Sequence, residues 1–503
     1  MGQKNPPELP SLPAGKSRLR QAINFTSTLI SLSYSTKSDL SVLACKIDTH
    51  IDCLSEICTV GLSTNSTVAQ KPGALASIDY MKVYVKDLLS RLKVGDIHMK
   101  KQALLAFNQV IQEDEEHVEI CMETDGIVSN LVNFLDSGVI DIQEESAKMA
   151  CLISKFDAYR GELAGAGLIP PLIRVVECGS RVGQECAARC LMNMTEKSNY
   201  AWSVLAHDGV TVLLEIGRNV EACGSELVVL ACGVLKNLGR EEEINKFMVQ
   251  EGALKIFITL AKSGNNVVLL SSIGCLQIMA STNELNRNLI VKEGGIFVLL
   301  DVLDPRSLIS SEAREMALEA IMILCLESTS SLNIVMDYGF IDHILLFLQH
   351  GFSRVQELAL KATVWLCEAS EEAKMALGEA GFLLELVKFL NAKSLETREL
   401  AAKALFSMIS VPKNRKRFVE NQESVGVLVQ LLDQEEDNSG DRKLLLSILM
   451  ALTSSTSGRK RIVNSGYVQN IEKLADDEVI DAQKLFRKST SNKISSILSQ
   501  MWQ

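Results

Sequence analysis

The chain has 503 residues, with 51 Lys and Arg against 62 Asp and Glu for a formal net charge of −11. A single hydrophobic core stops growing near roughly 250–300 residues, so this length implies several domains or a core that extends by repetition. The acidic balance argues against nucleic-acid binding, which needs a dominant basic surface.

The first ten residues, MGQKNPPELP, are polar and Pro-rich and carry no secretory signal. Gly2 invites N-myristoylation, but Pro6 stands where that pattern wants Ser or Thr. Residues 1–16 are expected to be a disordered tail. Residues 17–80 read as a helical N-terminal extension and connector. SRLRQAINFTSTLISLS and DLSVLACKIDTHIDCLSEICTVGL have amphipathic spacing, and STNSTVAQKPGA from Ser63 is a linker. The extension either caps the solenoid that follows or is a separate interaction module. No uninterrupted apolar run reaches the length of about 18 residues that a membrane span needs.

From residue 81 to 503 the chain repeats itself. Apolar runs follow turn positions at Gly126, Gly167, Gly209, Gly252, Gly294, Gly339, Gly381, Glu423 and Gly466. Their spacings are 41, 42, 43, 42, 45, 42, 42 and 43 residues. Each unit has a short amphipathic piece before the turn, such as NKFMVQEG. After it come an apolar helix, such as GFLLELVKFL, and a longer Ala-rich helix, such as RELAAKALFSM. Gly suits a sharp turn because it adopts positive φ cheaply. One unit cannot bury its own apolar faces, so stacked units must share a continuous core. The pair Gly294-Gly295 opens an apolar helix as a phosphate loop would, but its recurrence in unit after unit marks it as architecture. In the last segment, Ile494, Ile497, Leu498, Met501 and Trp502 form a stripe expected to pack on the preceding unit.

The 13 cysteines are odd in number and dispersed, mostly inside apolar helical patterns, which reads as a reducing compartment and core packing. Cys186 and Cys190 share a helix face but have no His nearby in sequence, so no metal is expected. Walker, GxSxG, HExxH and strand-linked GxGxxG motifs are absent, and the six His are scattered without triad partners. No enzyme activity and no cofactor are expected. The acidic runs EDEE from Glu113 and EEE from Glu241 read as solvated charge.

Three helices per unit, a period near 42, Gly between the first two helices and an Ala-rich third helix resemble the armadillo repeat. HEAT repeats have two helices and lack this glycine. The resemblance implies an all-α, right-handed superhelical solenoid of about nine to ten three-helix repeats. More narrowly, LLSRLKVGDIHMKKQALLAF from Leu88 is similar to armadillo modules of plant U-box ubiquitin ligases, although no U-box is visible.

The family binds partners along a groove lined by third helices, and its peptide-binding members hold an extended backbone with a ladder of Asn amides. Carried through this sequence, that position falls on Gln109, Leu152, Asn193, Asn237, Ile278, Ile323, Trp365, Ser407 and Ala451. Only Asn193 and Asn237 keep the family amide, and the Trp expected one turn earlier is replaced by Arg189 and Gly233. An import-type grip on basic nuclear signals is therefore disfavoured. The apolar centre at Ile278 and Ile323 favours a partner helix or hydrophobic side chain, with Trp365 as an anchor or an inter-unit packing residue. Two clusters, containing Arg415, Lys416, Arg417 and Arg459, Lys460, Arg461, lie on first helices of neighbouring units and form a basic strip. Its readings are solvated helix ends, or contact with an acidic partner or the acidic surface of a membrane. The resulting expectation is a noncatalytic scaffold or adaptor for protein partners, in the cytoplasm and also the nucleus. Its alternatives are a diverged member of the plant ubiquitin-ligase system and an import receptor.

Overall fold

The structure is a computed structural model. It describes residues 78–464 apart from residue 114 and residues 435–438, together with the isolated positions 484 and 488. The expected tail, most of the N-terminal extension, the turn at Gly466 and the stripe ending at Trp502 lie outside the described residues. The chain divides into two compact units, 1–194 and 195–503, and the described residues of each form an all-α array of stacked three-helix repeats.

The third helices are the long ones and are labelled α1 to α9. The first unit holds α1 (Ile97–Glu113), α2 (Ile140–Ser154) and α3 (Arg181–Thr195, whose last residue opens the second unit). The second holds α4 (Val220–Leu238), α5 (Asn266–Thr282), α6 (Ser311–Leu324), α7 (Ser353–Ala369), α8 (Leu395–Ile409) and α9 (Ser439–Leu452). α1 packs on α2, and α4 through α9 pack each on the next. Small residues make this close approach possible: Ala103, Ala147, Ala187, Ala317, Ala359 and Ala404 are fully buried. The apolar second helices supply bulk from behind, including Phe257, Phe340 and Phe382 with no exposed surface. Most described cysteines belong to the same core. Desolvation pushes the thiols of Cys121, Cys325 and Cys367 up to about 12, so they act as small apolar side chains.

The turn between first and second helices is left-handed, with φ of 92° at Gly126, 81° at Gly167, 81° at Gly252, 82° at Gly294, 76° at Gly339 and 101° at Gly381. Two units depart from the expected Gly. At the position expected for Gly209, the left-handed residue is Asp208 (φ 60°), and Gly209 begins the helix. Asp tolerates this conformation better than most side chains do. Glu423 is not a turn at all; it lies inside the helix Gln422–Gln434, and the chain bends at Asn421 with an extended ψ of 122°. A further break falls within α4, where Gly224 has φ 67° and ψ 161°.

Both other corners are stapled by side chains that satisfy carbonyls left open at helix C-termini. From the third helix back to the second, Gln143 Nε2 donates to Leu135 O at 2.9 Å, Gln184 Nε2 to Val176 O at 3.0 Å and Gln356 Nε2 to Leu348 O at 2.9 Å. Arg398 does the same with Ala392 O at 3.0 Å. From the next first helix back to the third, Arg160 Nε donates to Ser154 O at 2.8 Å and Asn245 Nδ2 to Gly239 O at 2.8 Å.

Candidate groove along the third helices

Within each unit the aligned positions fall near the C-terminal ends of the third helices. Gln109 is exposed; Leu152, Asn193, Asn237, Ile278, Ile323, Trp365, Ser407 and Ala451 are half-buried. Every one of them is followed by a buried apolar residue, from Val110 to Leu452. In each unit they face outward, and the next residue drops into the core.

Both retained amides reach sideways. Asn193 Nδ2 donates to Ser154 Oγ at 3.0 Å, and Asn237 Nδ2 donates to Thr195 Oγ1 at 3.3 Å. In each case the acceptor is a hydroxyl about one repeat earlier. A buried amide beside the row was not singled out from the sequence: Asn108 Nδ2 donates to Glu145 O at 3.1 Å and to Glu145 Oε2 at 2.8 Å. A second set lies on the first helices. Asn286 Nδ2 donates to Asn245 Oδ1 at 2.7 Å and to Met279 O at 3.0 Å, while Asn245 also donates to Thr282 Oγ1 at 2.9 Å. Asn414, with no exposed surface, donates to Lys374 O at 2.7 Å. It also presses so closely on Gly378 that a Cβ there would lie 1.9 Å from its Oδ1. The signal for these residues was a phase: Asn245 and Asn286 are 41 residues apart, and Asn414 stands at the same level of its own short helix.

One turn before the row, the first unit is ionic. Lys148 Nζ lies 3.0 Å from Glu144 Oε1 and 2.7 Å from Glu145 Oε1. Burial pulls the Lys148 ammonium down, but its hydrogen bonds to Glu145 and Glu144 outweigh that and leave it above the ordinary value. In the second unit the same position is Gly233 on α4 and Gly274 on α5. The Lys236 stem lies against Gly274, with Cδ 3.5 Å from where a Cβ would stand. Ile278 and Ile323 follow, then Trp365, whose ring meets the buried Phe340 edge-on at 6.3 Å and 81°. Leu326 and Phe406 are exposed beside them, while one turn before the row α6, α7 and α8 carry Glu319, Lys361 and Lys403, with Lys361 paired to Glu357 and Glu396 and Lys403 to Glu368.

Much of the basic strip has work inside the stack. Arg417 Nη2 bonds Glu379 Oε1 at 2.8 Å and holds that carboxyl below its ordinary range. Arg459 Nη1 donates to Thr453 O at 2.6 Å, and Arg461 Nε donates to Val419 O at 3.2 Å. Lys416 lies 3.9 Å from Glu420, and Lys460 is exposed. Arg415 is half-buried and makes no side-chain bond to the described residues.

No protein-family model and no curated protein sequence matches the chain. An engineered protein known from its crystal structure superposes at a TM-score of 0.67 with 25 % identity, covering 81 % of this chain and 98 % of that one. A computationally designed armadillo repeat protein for modular peptide recognition matches at 16 % identity and TM-score 0.45, covering 48 % of this chain and 99 % of its own. A designed armadillo repeat protein in complex with the peptide (KR)4 matches at 18 % identity and TM-score 0.44 over the same shares. The chain has an armadillo-like, all-α solenoid fold; the three-helix units and their left-handed turns carry that assignment.

Proposed function

We propose that the chain is a noncatalytic protein-binding scaffold, and that the outer face of α5 to α8 takes the apolar side of a partner helix. The observation that carries this reading is the run Ile278, Ile323, Trp365 and Phe406 on consecutive third helices, half-buried or exposed. Stacked helices stand about 8–10 Å apart, close to the rise of about seven helical residues at 1.5 Å each. A partner helix laid across the stack therefore presents an apolar residue to each rung in turn. Trp365 is held in place by Phe340, and a pre-oriented aromatic is the residue type that anchors interfaces. Protein partners recruited in the cytoplasm or nucleus fit this reading. An import-type grip does not, because it needs a long amide ladder and the two amides present donate to neighbouring hydroxyls.

The test is capture of partners from cells with the wild-type chain and with Leu326→Glu and Phe406→Glu, whose exposed positions spare the core. Specific partners lost in both variants support the reading. Partners retained by both remove this face from consideration. Ubiquitin transfer by the purified chain in vitro would turn the assignment toward the ligase alternative.

A further inference from the structure

The first described repeat begins differently from the others. In the repeats that follow, a short first helix and a turn stand ahead of the second helix, as Glu115–Met122 and Gly126 do ahead of Ile127–Leu135. The helix Ile78–Val94 runs straight through that place: Val83, 43 residues before Gly126, is helical. Its inner face buries Met81, Tyr84, Val85, Leu88, Leu89 and Leu92. Ile78, Tyr80 and Val83, at the end where other repeats place a first helix, are each more than half exposed.

Carboxylates border the same end. The helix Ile78–Val94 packs on Glu115–Met122, and Lys82 Nζ lies 3.0 Å from Glu123 Oε2. That hydrogen bond raises the Lys82 ammonium, and Asp79 and Glu119 add to it. On the next first helix, Asp157–Gly165, burial raises the Tyr159 hydroxyl, and Glu119, Glu115, Glu123 and Glu162 raise it further. These charges therefore share one neighbourhood, from Asp79 across the Glu115–Met122 helix to Glu162. Asp79, Glu115, Glu119, Asp125 and Glu162 are exposed and make no ion pair among the described residues, against Lys86 and Lys155 as the cations without one.

We infer that this end of the first unit is the docking surface of the chain's own residues 16–33, KSRLRQAINFTSTLISLS. The segment lies outside the described residues, and its charge selects it. Between Glu8 and Asp39 the chain carries Lys16, Arg18, Arg20 and Lys37 and no carboxylate. Leu19, Ile23, Thr26 and Ile30 are spaced for one helical face, with Arg18 and Arg20 flanking Leu19 in sequence. An apolar stripe with cations beside it matches Ile78, Tyr80 and Val83 with carboxylates beside them. The next segment, 39–60, has the wrong sign, with Asp39, Asp48, Asp52 and Glu56 against Lys46. Residues 34–77 join the docking segment to Ile78, and a flexible chain of that length spans about 33–40 Å. The helix Ile78–Val94 is about 25 Å long, so the tether reaches. Tethering gives the segment an effective concentration on the order of 1 mM, which a free cationic partner lacks. Docking covers the end of the stack, as a terminal repeat of a solenoid requires.

The experiment treats the full chain with a carbodiimide, which joins amines to carboxylates in direct contact, and maps the products by mass spectrometry. Lys82 coupled to Glu123 reports that the reagent has reached this face. Lys16 is expected to couple to Glu115, Glu119 or Glu162 within the monomer. Hydrogen exchange in Ile78–Val94 and Glu115–Met122 should quicken about tenfold in Arg18→Glu with Arg20→Glu, and equally in Glu115→Lys with Glu119→Lys. Combining the two pairs should restore wild-type exchange, which a loss of local packing alone would not do. The inference is overturned if Lys16 couples only to other carboxylates, or to none while Lys82 couples to Glu123. It is also overturned if the Lys16 products join two copies of the chain, if either reversed pair exchanges like the wild type, or if the combined variant fails to recover.

Discussion

The two units share one fold and differ on the face that meets solvent. In the first, the third helices turn outward Glu144, Lys148, Arg189 and Asn193, and Lys148 is tied to two carboxylates. In the second, the corresponding surface is Gly233 and Gly274 on α4 and α5, then Glu319, Lys361 and Lys403 on α6 to α8, beside the apolar Ile278, Ile323 and Trp365. Beneath both lies the same buried layer, Ala147, Ala187, Ala317 and Ala359. The core positions are constrained by helix approach and the outer positions are not. One scaffold can therefore carry bulky apolar side chains among the ion pairs of one unit's face and few among those of the other.

The largest effect that can break this comparison is expected at the joint between core and face in the second unit. Phe340 is fully buried and supports Trp365. Phe340→Ala should destabilise the second unit by about 3–5 kcal/mol and shift Trp365 emission to the red as the indole gains solvent. The equivalent change in the first unit, Phe107→Ala, should cost a similar amount without moving Trp365 emission. Chemical unfolding followed by tryptophan fluorescence, with Trp202 and Trp502 replaced by Phe, reads both. A red shift in the Phe107 variant at low denaturant would show that the faces are not separable.

The fold was legible because its signal is repetition: six of the nine expected turn positions are left-handed glycines. It failed where another residue can do the work of Gly. Asp208 enters the left-handed region in place of Gly209, and Asn421 bends the chain without entering it. That each position from Gln109 to Ala451 lies on the outer side of its own helix was legible, since helical spacing fixes which side chains share a face. The partners of those side chains were not. Asn193 and Asn237 look alike in sequence to groove amides, and only coordinates show their donors turned onto Ser154 and Thr195. Arg459 and Arg461 read as surface charge until their carbonyl acceptors are seen.

A smaller effect tests whether the second unit depends on polar as well as apolar contacts. Asn286 donates to Asn245 and to the Met279 carbonyl, and Asn245 donates in turn to Thr282 and Gly239. Asn286→Ala leaves two buried acceptors without a donor, which should cost about 1–3 kcal/mol. Asn193→Ala in the first unit, at a half-buried amide with one hydroxyl partner, should cost less, about 0.5–1.5 kcal/mol. Urea midpoints of the two variants check the order, and a larger loss at Asn193 would reverse the weighting given to the two amides.

The smallest effect concerns pH, and it separates the units by where each begins to loosen. In the first, burial raises the Glu144 carboxyl, but hydrogen bonds from Lys148 and Ser180 outweigh it and leave the folded value lowered. Its contribution is therefore complete above the ordinary carboxylate value of about 4.3 and is lost as pH falls through the folded value. In the second, burial lowers the His343 imidazole against the pull of Asp304 and Asp342, with Arg306 adding to the decrease. The unfolded chain then binds this proton more readily than the folded one. Stability is complete above about pH 6.5 and is lost as pH falls from there through the folded value. His343 Nδ1 is buried with no hydrogen-bond partner among the described residues, so no hydrogen bond among them offsets the cost of burying the added charge. Acidification should accordingly loosen the second unit first, and His343→Phe should remove that early step while leaving the low-pH loss in the first unit. Peptide-resolved hydrogen exchange, corrected for intrinsic rates, follows both regions in one sample. A first unit that opens at the higher pH, or a His343→Phe profile that matches the wild type, would place the acid-sensitive group elsewhere.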